Sequence, residues 1–153
     1  MSPDNALQRA VEVVRGTTEH DDPIFVGLMT NRYTLLNPMV AYYLADKPPG
    51  TRTTMYNPGI TNADRVQRSM VAELEATQTD FLNRAWATTF EAQNDSRLAG
   101  SDVLDRYLAA DFRLWRDFQH VIVSVRATRA DLGICSDPEG WTSYPASGLA
   151  GPG

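Results

Sequence analysis

The amino-terminal segment has the hydrophobic spacing of an amphipathic helix. Apolar side chains recur at i, i+3, i+4 and i+7, which places them on one helical face: Leu7, Ala10, Val11 and Val14. Ser2 and Pro3 precede this stripe and suit the N-cap and the first helical position. The sequence therefore predicts a helix that packs by one face against the rest of the domain.

Residues 24–29 follow a different pattern, because they form a short apolar run without a polar interruption. Such a run predicts a strand that is buried on both faces, as in a parallel sheet. Proline and glycine breaks, capping residues and apolar periodicity predict the remaining elements: a short helix over 38–45, a strand over 51–56, a helix capped by Thr61 or Asn62 that runs through Leu74, a strand over 80–85, a helix capped by Ser101, and a hairpin of strands over 113–118 and 121–126.

This alternation of helices and strands predicts an α/β fold. We expect three layers, with a mainly parallel sheet flanked by helices and a C-terminal β-hairpin. A chain of 153 residues has the length of one domain. From residue 128 onward the composition shifts to Gly, Pro, Ser and Asp, so we expect an α/β domain over 1–127 and a disordered tail over 128–153.

Charge and composition exclude several classes of function. The net charge of −5 and the pI of about 4.9 give no electrostatic basis for binding nucleic acid. Cys135 is the only cysteine, so an intrachain disulfide and a thiolate metal cluster are excluded. No apolar segment approaches the roughly 20 residues of a membrane helix. The chain as written is therefore expected to be soluble, without a transmembrane segment of its own.

Motifs for catalysis and cofactor binding are missing from the sequence. The strand over 24–29 is followed by neither G-x-G-x-x-G nor G-x-x-x-x-G-K-[ST], which argues against dinucleotides and a P-loop. His20 and His120 lack a histidine three or four residues away on a helix, which argues against zinc. There is no G-x-S-x-G nucleophile elbow. We therefore predict no catalytic residue, no metal and no cofactor.

Four polar residues lie where predicted elements end, and they are the candidate binding residues. Arg32, Asn37, Arg52 and Asn57 are expected on a ligand-facing rim of the domain. Arginine suits bidentate recognition of phosphate or carboxylate. The alternative for each arginine is a salt bridge to a nearby acid such as Asp46 or Asp64.

A series of short motifs between residues 5 and 127 carries a resemblance to a known family. The motifs are Gly27 at the end of a strand, Arg32 in a polar loop, Asn37 at a helix start, Tyr42-Tyr43-Leu44, Thr51-Arg52, Asn57-Pro58-Gly59, Val66-Gln67, and later Glu91, Asn94 and Ser96 with a closing helix from Asp102 to Tyr107. In this order they resemble the soluble C-terminal segment of bacterial polytopic membrane glycosyltransferases, which are similar to dolichyl-phosphate-mannose protein mannosyltransferases and aminoarabinose transferases. The segment 80–85 departs from the family pattern, because Asn83 and Arg84 stand in a strand that is otherwise apolar.

The resemblance implies an accessory domain and not an enzyme in its own right. In such transferases the catalytic acids belong to a multi-helix membrane domain, which this chain does not contain. The implied function is a non-catalytic, extracytoplasmic-type domain whose partners are a membrane glycosyltransferase domain or a polyprenyl-phosphate sugar. Its location would be the extracytoplasmic face of the membrane as part of a parent transferase, or the cytoplasm if it is expressed as given. The alternatives are a freestanding soluble binding or interaction module of unknown ligand, and a small soluble enzyme with an unrecognised site.

Overall fold

A computed structural model of the chain describes residues 2–32, 37–56, 60–85 and 100–132. The elements in chain order are α1 (Pro3–Thr17), β1 (Ile24–Leu28), α2 (Val40–Ala45), α3 (Asp64–Ala76), β2 (Phe81–Ala85), α4 (Val103–Asp111), β3 (Phe112–Asp117), β4 (Val121–Arg126) and a 3-10 turn (Ala130–Leu132). This series confirms the predicted α/β fold with a C-terminal hairpin. None of the described helices combines the length and apolar character needed to cross a bilayer.

The four described strands form one mixed sheet in the order β1-β2-β4-β3. β1 and β2 run parallel, whereas β4 runs antiparallel to both β2 and β3. The expectation of a mainly parallel sheet is therefore not confirmed. The hairpin is responsible, because β4 joins the open side of β2 and brings β3 with it.

Helices cover both faces of the sheet and give the three predicted layers. On one face α1 and α2 pack against alternate residues of the strands, including Ile24, Val26 and Val123. On the other face α3 and α4 pack against Phe25, Leu82 and Phe112. All five residues of β1 are buried, which explains why this strand reads as a continuous apolar run.

The ends of the helices agree in part with the capping residues expected from the sequence. Ser2 Oγ accepts a hydrogen bond of 3.3 Å from the Asn5 amide, which confirms the cap of α1. At α4 the N-cap is Asp102, not the predicted Ser101, and Asp102 makes no side-chain capping bond, but Ser101 Oγ accepts a bond of 3.2 Å from the Val103 amide. The prediction for α3 was wrong, because its N-cap is Ala63, which makes no side-chain capping bond.

The predicted strand over 51–56 is not formed. The chain makes only an isolated parallel bridge between Ile24 and Pro49 at the outer edge of β1. Beyond that bridge, the side chains of Asn37 and Tyr42 occupy the hydrogen-bonding positions that a fifth strand would need. Residues 51–56 therefore run alongside β1 without joining the sheet.

The described chain continues a few residues past the predicted domain boundary at 127. Residues 130–132 form the 3-10 turn, and Arg129 makes ion pairs with Asp80 and Asp131. The remainder of the predicted tail, including Cys135, lies outside the described residues.

Candidate functional site

A buried polar cluster lies beneath the carboxyl end of β1, and Asn31 is at its centre. The main-chain nitrogen of Asn31 donates to Asp105 Oδ1 at 2.9 Å, and its Nδ2 donates to the same oxygen at 2.7 Å. Asn31 Oδ1 accepts from the Tyr56 hydroxyl at 2.7 Å. These bonds connect the loop after β1 to α4 and to the segment before α3.

Asp105 belongs to the first turn of α4 and points toward this loop. It also accepts a hydrogen bond of 3.1 Å from the Thr30 hydroxyl, in addition to the bonds from Asn31. Burial raises the pKa of the Asp105 carboxyl, although the donors on Asn31 and Thr30 and the charge of Arg84 act in the opposite direction. The Asp105 carboxylate therefore connects α4 to the end of β1 by hydrogen bonds, and its burial costs desolvation energy.

Gln67 gives the same loop a second connection, to α3. Its Nε2 donates to the Asn31 main-chain oxygen at 2.7 Å, and its Oε1 accepts from the Leu104 amide at 3.0 Å. The side chain is fully buried. The Gln67 side chain thus hydrogen-bonds to a loop carbonyl and to one of the amides at the start of α4 that have no partner within the helix.

Arg84 brings a buried positive charge into the cluster from β2. Its Nη2 donates to Ser124 Oγ on β4 at 3.4 Å. Burial lowers the pKa of Arg84 to about 9, while the charge of Asp105 favours the protonated form. Burial also raises the pKa of Tyr56 well above its ordinary value, so its hydroxyl stays protonated and donates to Asn31. The polar groups of the cluster are therefore directed mainly toward one another.

The outer edge of β1 is closed by side chains. Asn37 Nδ2 donates to the main-chain oxygens of Val26 and Thr54, at 2.9 and 2.7 Å, and its Oδ1 accepts from the Tyr56 amide at 3.2 Å. The Tyr42 hydroxyl accepts from the Val26 amide at 2.9 Å. Burial raises the pKa of Tyr42 to about 12, so the phenol remains neutral. Asn37 is a buried bridge between β1 and the segment 51–56, with its amide directed inward.

The four rim residues predicted from the sequence do not come together as one group. Arg32 follows Asn31 and is exposed at the carboxyl end of β1, where its main-chain oxygen accepts from Gly100. Arg52 lies near the other end of the strand, because Gly50, two residues before it, bonds to Ile24. Asn57 lies outside the described residues.

Arg52 has little contact through its side chain, which is 95% exposed. Its main-chain nitrogen donates to Glu73 Oε2 at 2.7 Å, and its Nε lies 4.0 Å from Glu73 Oε1. The ion-pair alternative therefore has a partner for Arg52, but that partner is Glu73 on α3. An exposed pair at this distance contributes little to stability.

Large apolar side chains are exposed around the carboxyl end of β1. Met39, Met55 and Ile60 are 37%, 47% and 57% exposed. Met39 follows Asn37 by two residues, Met55 precedes Tyr56, whose amide donates to Asn37, and Ile60 lies two residues before Asn62, whose carbonyl accepts from Ser101 next to Gly100. We infer from these neighbours that the three side chains lie on the same side of the fold as Arg32, and we term these four residues the β1-end surface.

A separate open groove lies between the C-terminal ends of α1 and α2. His20 is held there by two carboxylates, with Nδ1 3.0 Å from Asp21 Oδ1 and Nε2 3.4 Å from Asp46 Oδ2. These pairs raise the pKa of His20, through the hydrogen bond to Asp21 first and the charge of Asp46 second. Asp46 ends α2 in the left-handed region, with φ of 52°.

The sequence analysis assigned no structural role to Asp105 or Gln67, which organise the buried cluster, although Gln67 belongs to one of the family-like motifs. Both lie within the apolar stripes of their helices, Asp105 directly after Leu104 and Gln67 between Val66 and Met70. A polar residue inside such a stripe is a usable signal, because burial there requires a hydrogen-bond partner. No group of three or more His, Cys, Asp or Glu residues in the described ranges is arranged to hold a metal ion.

Comparison of the chain with protein-family models, with curated proteins and with solved structures found no match.

Proposed function

We propose that this chain is a non-catalytic accessory domain of the extracytoplasmic type, resembling that of a polyprenyl-phosphate-sugar-dependent membrane glycosyltransferase. Its β1-end surface would face the membrane-embedded catalytic part and the lipid-phosphate sugar. The observation that supports the proposal is the exposure of the apolar side chains of Met39, Met55 and Ile60 and of the basic residue Arg32.

The composition of this surface suits a membrane boundary. Apolar side chains enter the headgroup region of a bilayer, and a neighbouring arginine keeps its guanidinium at the charged interface. A polyprenyl phosphate offers the same two features, because it combines a long apolar chain with an anionic headgroup. Arginine recognises phosphate through its planar, forked set of N–H donors.

The polar cluster beneath the surface supports an accessory role over a catalytic one. Asp105 and Tyr56, its acidic groups, are directed to partners inside the domain. Their bonds position Asn31 and Tyr56, which are the chain neighbours of Arg32 and Met55. On this proposal the domain presents a shaped surface, and the chemistry of glycosyl transfer is performed by the membrane partner.

The positions of the two arginines provide a matched test. Arg32 belongs to the β1-end surface, whereas Arg52 lies near the opposite end of β1. We expect the protein to float with phosphatidylcholine vesicles that contain a long-chain polyprenyl phosphate. The Arg32→Ala variant should weaken this binding by roughly fivefold, since one basic residue near an anionic surface contributes about 1 kcal/mol.

The controls separate a specific surface from general attraction. Arg52→Ala removes the same charge and should leave vesicle binding unchanged, whereas a double Met55→Ser, Ile60→Ser variant should lose it. Equal losses for the two arginine variants, or no flotation of the wild-type protein with polyprenyl phosphate vesicles, would refute the assignment of this surface.

The second candidate is a freestanding binding module, and the groove around His20 favours it. That groove lies near the start of β1, because Lys47 and Pro48 line it and the Pro48 carbonyl accepts from the Ile24 amide. The two surfaces are therefore separate on the fold, and each can be tested without the other.

A further inference from the structure

We propose that the groove between the C-terminal ends of α1 and α2 is a binding site for a neutral carbohydrate. The groove has a volume of about 620 Å³. Small-molecule sites in proteins fall in the range of about 300–1,000 Å³, so a sugar ring and part of a second one fit this space. The inference goes beyond the proposed accessory function, because it concerns another surface of the domain.

Tyr43 supplies an aromatic platform at this groove. Its side chain is 85% exposed, although its neighbour Tyr42 is turned inward to the Val26 amide. The face of a phenol ring carries the negative part of its quadrupole. The C–H groups on one face of a pyranose ring are apolar and weakly positive, so they pack favourably on such a surface.

Planar polar side chains stand beside the platform. The His20 imidazole contacts both Asp21 and Asp46, and all three side chains are at least 75% exposed, so they are open to a ligand. In these contacts each carboxylate uses one oxygen and keeps a second acceptor for a ligand hydroxyl. Arg15 lines the same groove and adds a set of donors. Vicinal sugar hydroxyls are recognised by donors and acceptors of this planar kind.

The charge balance of the groove favours an uncharged ligand. Asp21 and Asp46 line the same groove as Arg15, and both contact the His20 imidazole, so the groove contains groups of both signs. Lys47 also lines the groove, but its ammonium donates to the main-chain oxygens of Thr18 and Glu19 and is largely buried. The two carboxylates would repel a phosphate, and the basic side chains would repel a polyamine, whereas sugar hydroxyls can hydrogen-bond to both kinds of group.

Backbone amide spectra of the full chain test the proposal, with methyl pyranosides and maltotriose as probes. We expect saturable shifts of the His20, Tyr43 and Asp46 resonances. Tyr43→Ala should weaken binding by roughly tenfold through loss of the stacking surface, whereas Tyr43→Phe should retain it. Val40→Ala is the matched control, because Val40 is exposed on the same helix and does not line this groove.

Several results would overturn the proposal. These are an absence of saturable shifts with every pyranoside, equal binding by the wild-type and Tyr43→Ala proteins, and saturation of the groove by inorganic phosphate or spermidine in place of the sugars. Because Tyr43 is exposed, its variants should keep the thermal stability of the wild-type protein, so a loss of binding reports on the groove and not on unfolding.

Discussion

The side-chain amide of Asn37 donates a hydrogen bond of 2.9 Å to the main-chain oxygen of Val26, in the middle of the outer edge of β1. The flanking outward-facing residues are also satisfied. Ile24 exchanges bonds with Pro48 and Gly50, and both main-chain polar groups of Leu28 bond to the Asn31 side chain. At these three positions β1 therefore has no unpaired main-chain N–H or C=O group with which a further strand could pair.

Replacing Asn37 is expected to destabilise the protein and to open this edge. Asn37→Ala leaves Val26 O, Thr54 O and the Tyr56 amide without their partner, which should lower the free energy of unfolding by about 2–4 kcal/mol. Asn37→Asp should lower it further, because a carboxylate cannot donate to two carbonyl oxygens. Denaturant unfolding measures these changes, and size-exclusion chromatography should detect concentration-dependent association.

Asn5 provides the matched control for this substitution. It is an exposed asparagine on α1, and Asn5→Ala should change stability by no more than about 0.5 kcal/mol. If Asn37→Ala is as stable and as monomeric as Asn5→Ala, then the Asn37 bridge does not hold the edge of β1.

Asp105 is expected to make stability depend on pH in an unusual direction for a carboxylate. Burial raises its pKa above the ordinary 3.8, so the folded state binds this proton more tightly than the unfolded state does. The stabilisation that belongs to this group is complete below the unfolded pKa and is lost as the pH rises through the folded pKa.

The Asp105→Asn variant isolates this effect. The amide oxygen can still accept from Asn31, and the new amide can donate to the Thr30 hydroxyl, whereas Asp105→Ala loses every acceptor and should cost about 3 kcal/mol or more. Measured from pH 4 to pH 7, the stability of Asp105→Asn relative to wild type should rise with pH. A constant or falling difference would contradict the raised pKa of Asp105.

Among the arginines described in ion pairs, Arg126 is expected to contribute most to stability, because its side chain is only 15% exposed. It pairs with Glu75 at 3.0 Å and Asp80 at 3.2 Å, donates to Thr79 O, and stacks over the Phe112 ring at 4.7 Å. Arg126→Ala should lower the free energy of unfolding by about 2–3 kcal/mol, since these contacts of one partly buried side chain are lost together.

Two further variants show whether geometry or charge is responsible. Arg126→Lys keeps the charge but lacks the planar guanidinium and its stacking on Phe112. It should therefore retain less than half of the stabilisation that Arg126→Ala removes. Arg68→Ala breaks the exposed Arg68–Asp64 pair and should cost no more than about 0.5 kcal/mol. Equal effects of Arg126→Ala and Arg68→Ala would show that the network contributes nothing beyond a surface pair.

The titration of His20 tests the geometry of the α1–α2 groove directly. Its pKa should lie above 6.5 in the wild-type protein, because Asp21 and Asp46 favour the imidazolium. Asp21→Asn should lower this pKa more than Asp46→Asn does, since the hydrogen bond to Asp21 is the larger cause. Proton NMR of the imidazole measures the shift. Asp22→Asn is the control, and an equal decrease in that variant would contradict the assigned pairing.

Most elements of the fold could be predicted because their signals are local. The stripe of α1, the buried run of β1 and the hairpin β3–β4 each follow from residues within one segment. The prediction of a mainly parallel sheet was not confirmed, because no local signal in the hairpin specifies that β4 pairs with β2. Strand pairing between distant segments depends on packing and not on the propensity of either strand.

Neither the absence of a strand over 51–56 nor the buried cluster could be predicted from the sequence, because both depend on contacts between distant parts of the chain. Thr and Tyr favour extended structure, but Asn37 and Tyr42 occupy the β1 edge from another part of the chain. Asn31 and Asp105 are 74 residues apart in sequence, and their contact arises only when α4 packs on the sheet. The sequence indicated Arg32 as a polar residue after a strand, but not which residues the fold would bring to its neighbour Asn31.

The central claim is that the β1-end surface faces a membrane-embedded transferase. The most direct test is to place a photo-crosslinking amino acid at position 55 and to express the protein in the organism from which it comes. Position 116 on β3 is the control site. The account predicts that position 55, and not position 116, crosslinks to a polytopic membrane protein that mass spectrometry identifies as a glycosyltransferase. Crosslinks from position 55 only to proteins outside the membrane, or the same products from both positions, would contradict it.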